Sequence, residues 1–347
     1  MKVLITGASG FVGKYVVAAA LRAGHQVRAV VRPKTDGTRF SWHAHPNLEF
    51  ARFDLRQRHE LDQMVSGVDA VIHLAAVKGG DFQDCFAGTV SGTENLLLAM
   101  QKMAVKHLIV TSTFSLYDYQ KIPCETVLDE NSPLIENPLN RDVYAQTKLI
   151  QENMVRRFGK ENNAVVTIIR PGMIYGRESL WHALLGGAIG DKYWLKIGGK
   201  STLPMAYVEN CAEALVLALT AEKAFGQTIN IVDGELPTQQ SYIDGLLQRE
   251  QDPPKLVSVS WSLMQGLANL AWGVNEGLLK GKVRLPGILV PAQLQARFRP
   301  LQYSNRLAKS LLDWTPRYSL EESLDRSYSS QDLIFVESET ISTSSAN

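Results

Sequence analysis

The chain reads as an α/β protein built on a doubly wound parallel sheet, with a smaller C-terminal lobe. Three observations carry that reading. Short apolar runs rich in Val and Ile alternate with helix-length segments through the first half. The runs lack strict polar alternation, as expected of strands buried on both faces. A glycine-rich turn ends the first run and opens the first helix. Regular strand–helix alternation implies parallel strands joined by right-handed crossovers.

The expected strands are "KVLIT" (2–6), "QVRAVV" (26–31), "LEFARFDL" (48–55), "AVIHLA" (70–75), "HLIVTS" (107–112) and "VVTIIR" (165–170). Between them lie helix candidates "FVGKYVVAAALRAG", "RHELDQMVSG", "GTENLLLAMQKM" and "YAQTKLIQENMVRRFG". After Arg170 the rhythm changes: 172–205 is Gly-rich and irregular. "VENCAEALVLALTAE" (208–222) is then an amphipathic helix and "QTINIVD" (227–233) a further strand. Residues 237 to 325 read as helices and loops of the smaller lobe, with the apolar part of 257–300 as its core. The Ser/Thr-rich end, 335–347, is expected to be a disordered tail.

Bulk properties exclude several function classes. The 347 residues are 45% hydrophobic and 20% charged, ordinary for a globular chain that can bury a large core. A formal charge of +1 gives no field for nucleic acid, so no nucleic-acid partner is expected. Cys85, Cys124 and Cys211 form no CxxC pair, which points away from zinc and from a disulfide framework. No metal site is expected, "HAH" at His43 and His45 reading as a polar loop. No stretch reaches the roughly 20 apolar residues of a membrane span, and the N-terminus lacks a signal-peptide pattern. A cytoplasmic protein is the expectation.

"TGASGFVGKYVV" places Gly7, Gly10 and Gly13 between the first strand and the first helix. Glycines there permit a tight turn, close backbone approach to a pyrophosphate and close helix–strand packing. The helix N-terminus offers free N–H groups to the anion. Residues 1–175, rejoined by 207–233, are thus expected to form a dinucleotide-binding Rossmann domain. Segments 176–206 and 234–330 would form the substrate lobe. Within the loop, Ser9, Phe11 and Val12 join the three glycines as candidate cofactor contacts. The residue that reads the ribose lies about 20 residues further on, where an acid would select NAD. Val31 stands there, followed by Arg32, with Lys34 nearby. A cation without an acid suits a 2′-phosphate, so NADP(H) is favoured over NAD(H). Asp54, followed by Leu55, is placed to accept from the adenine amino group.

Taken with "VDAVIHLAA", "VTSTFSLY", "YAQTK", "RPGMIYG", "YVENCAEAL" and "YSNRLAKSLLDWTPRYSLEESL", these features resemble the extended short-chain dehydrogenase/reductase superfamily and its NAD-dependent epimerase/dehydratase group. The resemblance covers roughly residues 1–330 and implies a set of roles. Tyr144 would be the general acid/base, Lys148 its partner and a ligand of the nicotinamide ribose, and Thr113 the hydroxyl that holds the substrate oxygen. Leu74, Ala75 and Ala76 would line the cofactor channel, and Pro171 would start the loop beside the nicotinamide. A homodimer through the "GTENLLLA" and "YAQTK" helices is also implied.

Physical chemistry supports the pair independently. Tyr144 and Lys148 share a helix face at i, i+4. A free phenol, with a pKa of about 10, needs a nearby ammonium and the charge of an oxidised nicotinamide to become a base at neutral pH. A lowered Tyr144 pKa is therefore expected. His73, in its buried strand, reads as structural.

Two departures bear on the substrate. Met173 stands where members acting on nucleotide sugars carry Asn, and Thr89 replaces another usual Asn. An apolar side chain in place of an amide holds a diphosphate poorly. In character the chain is closest to the branch of 3β-hydroxysteroid dehydrogenases and dihydroflavonol reductases. That implies an NADP(H)-dependent oxidoreductase acting on a fairly apolar ketone, aldehyde or alcohol. Lys78, Ser115 and Met173 are the candidate substrate contacts. A nucleotide-sugar epimerase or dehydratase with tightly held cofactor is the alternative, and a non-catalytic dinucleotide sensor the third reading.

Overall fold

The computed structural model describes every residue except Asp191, Gly199, Lys200, Arg284, 335–347 and the side chain of Asn140. The tail expected at 335–347 therefore lies outside the described residues.

Seven strands form one parallel sheet: β1 (Lys2–Thr6), β2 (Gln26–Val31), β3 (Leu48–Arg52), β4 (Ala70–His73), β5 (His107–Thr111), β6 (Val165–Pro171) and β7 (Thr228–Ile231). Their spatial order is β7-β6-β5-β4-β1-β2-β3. Strand order reverses between β1 and β4, and ligands of such sheets bind in the crevice beyond the strand ends at that point. The expected strands at 48–55 and 70–75 end early, at Arg52 and His73, because their last residues bend into that crevice.

Apolar residues on successive positions serve opposite faces. Val3 and Ile5 of β1 join one core cluster while Leu4 joins the other, and β4 divides Ala70 and Ile72 from Val71 in the same way. Helices α1 (Phe11–Arg22) and α5 (Val208–Leu217) cover the first face. The second is covered by α2 (Leu61–Val65), α3 (Gly92–Lys102) and α4 (Val143–Asn162). Helix α5 stops at Leu217 rather than 222, whereas α4 runs past its expected end to Asn162.

The remaining chain builds a lobe around a three-stranded sheet formed by Gly187–Ile189, Tyr193–Ile197 and Lys255–Val259, with helix α6 (Trp261–Gly277) following. Here the sequence reading needs correction. Only one face of α6, carrying Met264, Ala268 and Asn275, is buried. Leu263, Leu267, Leu270 and Val274 stand in solvent, because among the described residues nothing packs against the opposite face. Among the described residues no helix is long and apolar enough to cross a membrane.

Candidate active site

The loop after β1 is shaped by its glycines. Gly7 adopts φ +70°, and an added Cβ would lie 3.0 Å from the Ala75 nitrogen. At Gly13 a Cβ would come within 2.1 Å of the Gly7 carbonyl oxygen. Gly10 caps α1 with no side-chain bond, so the first-turn amides keep their donors for an anion. A cleft of about 580 Å³ opens above this loop. Its size and its ring of backbone amides suit a dinucleotide.

Gly7, Ser9, Gly10, Arg32, Asp54, Leu55, Leu74, Ala75 and Ala76 all line the cleft. Phe11, Val12 and Gly13 lie in the first turn of α1 behind it, and Phe11 packs edge-on against Tyr15. Lys34 stays on the exposed turn and is not part of the wall. Asp54 does not present a free carboxylate: Arg56 Nε donates to both of its oxygens at 3.0 and 3.1 Å. That bond holds the Asp54 pKa below the usual carboxylate value.

The predicted catalytic residues sit at the C-terminal ends of β5 and α4's first turns. Thr113 leaves β5 in extended conformation, its Oγ accepting from the Ser115 amide at 3.1 Å. Asp142 caps α4 by accepting from the Ala145 amide at 2.9 Å, which fixes the first turn and Tyr144 in it. The Thr113 side chain lies within range of the Tyr144 hydroxyl and works to lower its pKa. Lys148, one turn on, is buried and donates to the Thr111 carbonyl and to Gln151 Oε1. Thr113 thus acts on Tyr144, while the Lys148 ammonium is engaged by the Thr111 carbonyl and Gln151.

This overturns the expected electrostatics. Burial pushes the Tyr144 pKa up to about 12, against the opposing Thr113 bond and with the Asp142 charge adding to the rise. Burial lowers Lys148 to about 7; the Glu152 carboxylate opposes this and the Lys78 charge adds to it. Both groups lean to their neutral forms, because desolvation is the largest influence on each.

The substrate candidates are spread around this pair. Ser115 accepts from Thr113 Oγ at 3.3 Å. Lys78 lies on the loop after β4, close enough to bear on Lys148. Met173 is half-buried against the core, its amide bonded to the Pro204 carbonyl. Pro171 is the buried last residue of β6 and not yet loop. Trp181 stacks obliquely on Trp194 in the lobe. His43 donates from Nδ1 to the Phe40 carbonyl at 2.8 Å, within its own loop.

The model of the NAD dependent epimerase/dehydratase family matches residues 3–232. The chain belongs to that family. The glycine loop, the cleft and the Thr113–Tyr144 pair all fall inside the matched region, and the cleft fits the nicotinamide dinucleotide the family name specifies. Among relatives, a 3-beta-hydroxysteroid dehydrogenase of Mycolicibacterium neoaurum is 28% identical over 67% of this chain and 66% of its own length. A 2-alkyl-3-oxoalkanoate reductase of Stenotrophomonas maltophilia is 27% identical over 94% of this chain and 98% of that protein. Among solved structures, UDP-glucuronic acid 4-epimerase of Bacillus cereus with NAD superposes with a TM-score of 0.70. It is 22% identical and covers 94% of this chain and 97% of that one, a likeness of fold.

Within this epimerase/dehydratase scaffold, several residues escaped the sequence reading. Arg39 and Arg56 join Arg32 on the cleft wall. Arg39 comes from a turn-rich loop with no periodic signal. Beneath the site, Glu152 and Arg170 form an ion pair with both side chains nearly inaccessible (3% and 2%). Ser112 donates to the same carboxylate, and Tyr117, bonded to Arg170 at 3.2 Å, donates to Asn230 at 2.7 Å. Gln151 links Lys148 to Thr93 at 2.8 Å, and Thr93 contacts His73 at 2.9 Å. His73 also meets Thr6 at 2.7 Å and is held neutral by burial, with a pKa of about 3. Gln151 and Glu152 follow Lys148 by three and four residues, a helix spacing that identifies them in retrospect.

Proposed function

We propose that this protein is an NADP(H)-dependent oxidoreductase that interconverts a ketone or aldehyde with an alcohol on a fairly apolar small molecule. The observation that carries the reading is the pairing of Thr113, just past the end of β5, with Tyr144 in the first turn of α4, beside a dinucleotide-sized cleft. The bound cofactor supplies the hydride. A carbonyl oxygen placed between the two hydroxyls is held by Thr113 and protonated by Tyr144, which is a phenol and not a phenolate at neutral pH. Lys148, tethered by Thr111 and Gln151 and backed by Glu152, positions the floor of the site. Positioning and proton transfer are the two contributions open to such residues.

The cofactor preference is supported by the wall at the end of β2, where Val31 replaces an acid and Arg32, Arg39 and Arg56 converge. The substrate class is supported by Met173 in place of an amide and by the relatives named for steroid and 3-oxoalkanoate chemistry.

Purified protein assayed with NADPH and NADH against a panel of ketones and alcohols tests the proposal. Net NADPH consumption with apolar ketones is the expected result. Arg32→Ala is expected to weaken NADPH binding roughly 10- to 100-fold, as loss of a charged hydrogen bond does, with NADH little changed. Cofactor that stays bound through purification, with no net NADPH consumption, assigns the epimerase reading instead.

A further inference from the structure

We propose that the segment from Trp261 to Val283 is a docking face for an anionic lipid surface, on which α6 lies flat. The inference does not rest on the catalytic reading. Helix α6 buries Met264 and Ala268 against Ile197, Leu294 and Phe298. On its other side Leu263, Leu267, Leu270, Val274 and Leu278 recur at intervals of four, three, four and four residues. At about 100° per residue these five fall within a single stripe about 80° wide. They are exposed by 58%, 46%, 66%, 40% and 78%, and Leu279 and Val283 extend the patch.

Single exposed apolar residues are normal, but a contiguous patch marks an interaction site. Among the described residues, ten of the fifteen exposed large apolar side chains lie between Ile189 and Val283, so the exposure is local to this lobe. Gly266, Gly273 and Gly277 flank the stripe, and a Cβ on any of them would meet nothing within 4 Å. The face is open along its length.

Charge selects the occupant. Residues 261–284 carry Lys280, Lys282 and Arg284 against the lone acid Glu276, a local charge of +2 in a chain of +1. Lys280 and Lys282 are exposed beside the end of the stripe. A second copy docked face to face would bring two such basic segments together, which disfavours self-pairing. An anionic surface meets the basic residues and the apolar stripe at once, the two requirements of an interfacial helix. At about 25 Å, the helix is too short to span a bilayer but long enough to lie along one.

The test is flotation of the full chain with phosphatidylcholine vesicles, with and without phosphatidylglycerol, at low and high salt. Wild type is expected to float with phosphatidylglycerol vesicles and to release in high salt. Leu267→Ser/Leu270→Ser should abolish flotation, and Lys280→Glu/Lys282→Glu should lower partitioning on the order of tenfold or more. Both variants alter exposed side chains, so the thermal midpoint and kcat/KM on a water-soluble substrate should match wild type. Absence of wild-type flotation at low salt overturns the proposal. So does a concentration-dependent dimer that Leu267→Ser/Leu270→Ser dissociates without any lipid association, which would assign the stripe to a second copy.

Discussion

The raised pKa of Tyr144 makes a directional prediction. Carbonyl reduction consumes one proton, so the ratio of forward to reverse kcat/KM must shift tenfold per pH unit whatever the mechanism. The structure says which arm carries the shift. With its hydroxyl at about 12, only about one Tyr144 in 10⁵ is a phenolate at pH 7, a handicap of about 7 kcal/mol for a base but none for an acid. Since kcat/KM reports the groups of the enzyme before substrate binds, reduction should be flat from pH 6 to 9 and alcohol oxidation should rise about tenfold per unit. The assay is initial rates in both directions, followed by absorbance of the reduced nicotinamide. A flat oxidation arm with reduction falling tenfold per unit above pH 7 would refute the reasoning, because it requires a phenolate already formed. Tyr144→Phe should cost roughly 10²–10⁴ in both directions.

Other perturbations test the supporting structure. Glu152→Gln leaves Arg170 buried without its counter-charge and should destabilise the fold by about 3–5 kcal/mol, read as a lower urea midpoint. Gly13→Ala drives a methyl into the Gly7 carbonyl and should abolish cofactor binding, read by quenching of tryptophan fluorescence on titration with NADPH. His182 is buried, and burial lowers its pKa to about 3, so the folded protein resists a proton that the unfolded chain accepts. Its contribution is full above about pH 6.5 and is lost on acidification. His182→Phe should therefore reduce the slope of stability against pH by about 1.4 kcal/mol per unit between pH 4 and 6. Asp233, raised to about 7 by burial, has the opposite sign: its contribution falls as pH rises from about 4 to 7. Thermal melts across that range, in wild type and variant, measure the difference.

How much of this was legible in the sequence depends on how local each signal is. Gly7, Gly10 and Gly13 declare themselves because only backbone geometry and a positive φ are at stake. Thr113, Tyr144 and Lys148 sit at fixed offsets from strand and helix ends, so their neighbourhood could be anticipated. The direction of the Tyr144 shift could not, since it depends on how dry the pocket is and where the Lys148 side chain turns. The Lys148–Gln151–Thr93–His73 chain unites residues up to 78 apart in sequence, with no periodic trace. Arg39 and Arg56 reach the cleft from irregular turns. Helix α6 misleads most: its leucines look like core, because a sequence shows apolar spacing but not whether anything packs against it.

The measurement that bears most directly on the account is the stoichiometry of cofactor use by wild type and Tyr144→Phe with an apolar ketone. Wild type should oxidise one NADPH per alcohol formed, and the variant should lose that turnover while still binding NADPH. Turnover of substrate with no change in reduced nicotinamide, or a Tyr144→Phe protein as active as wild type, would contradict it.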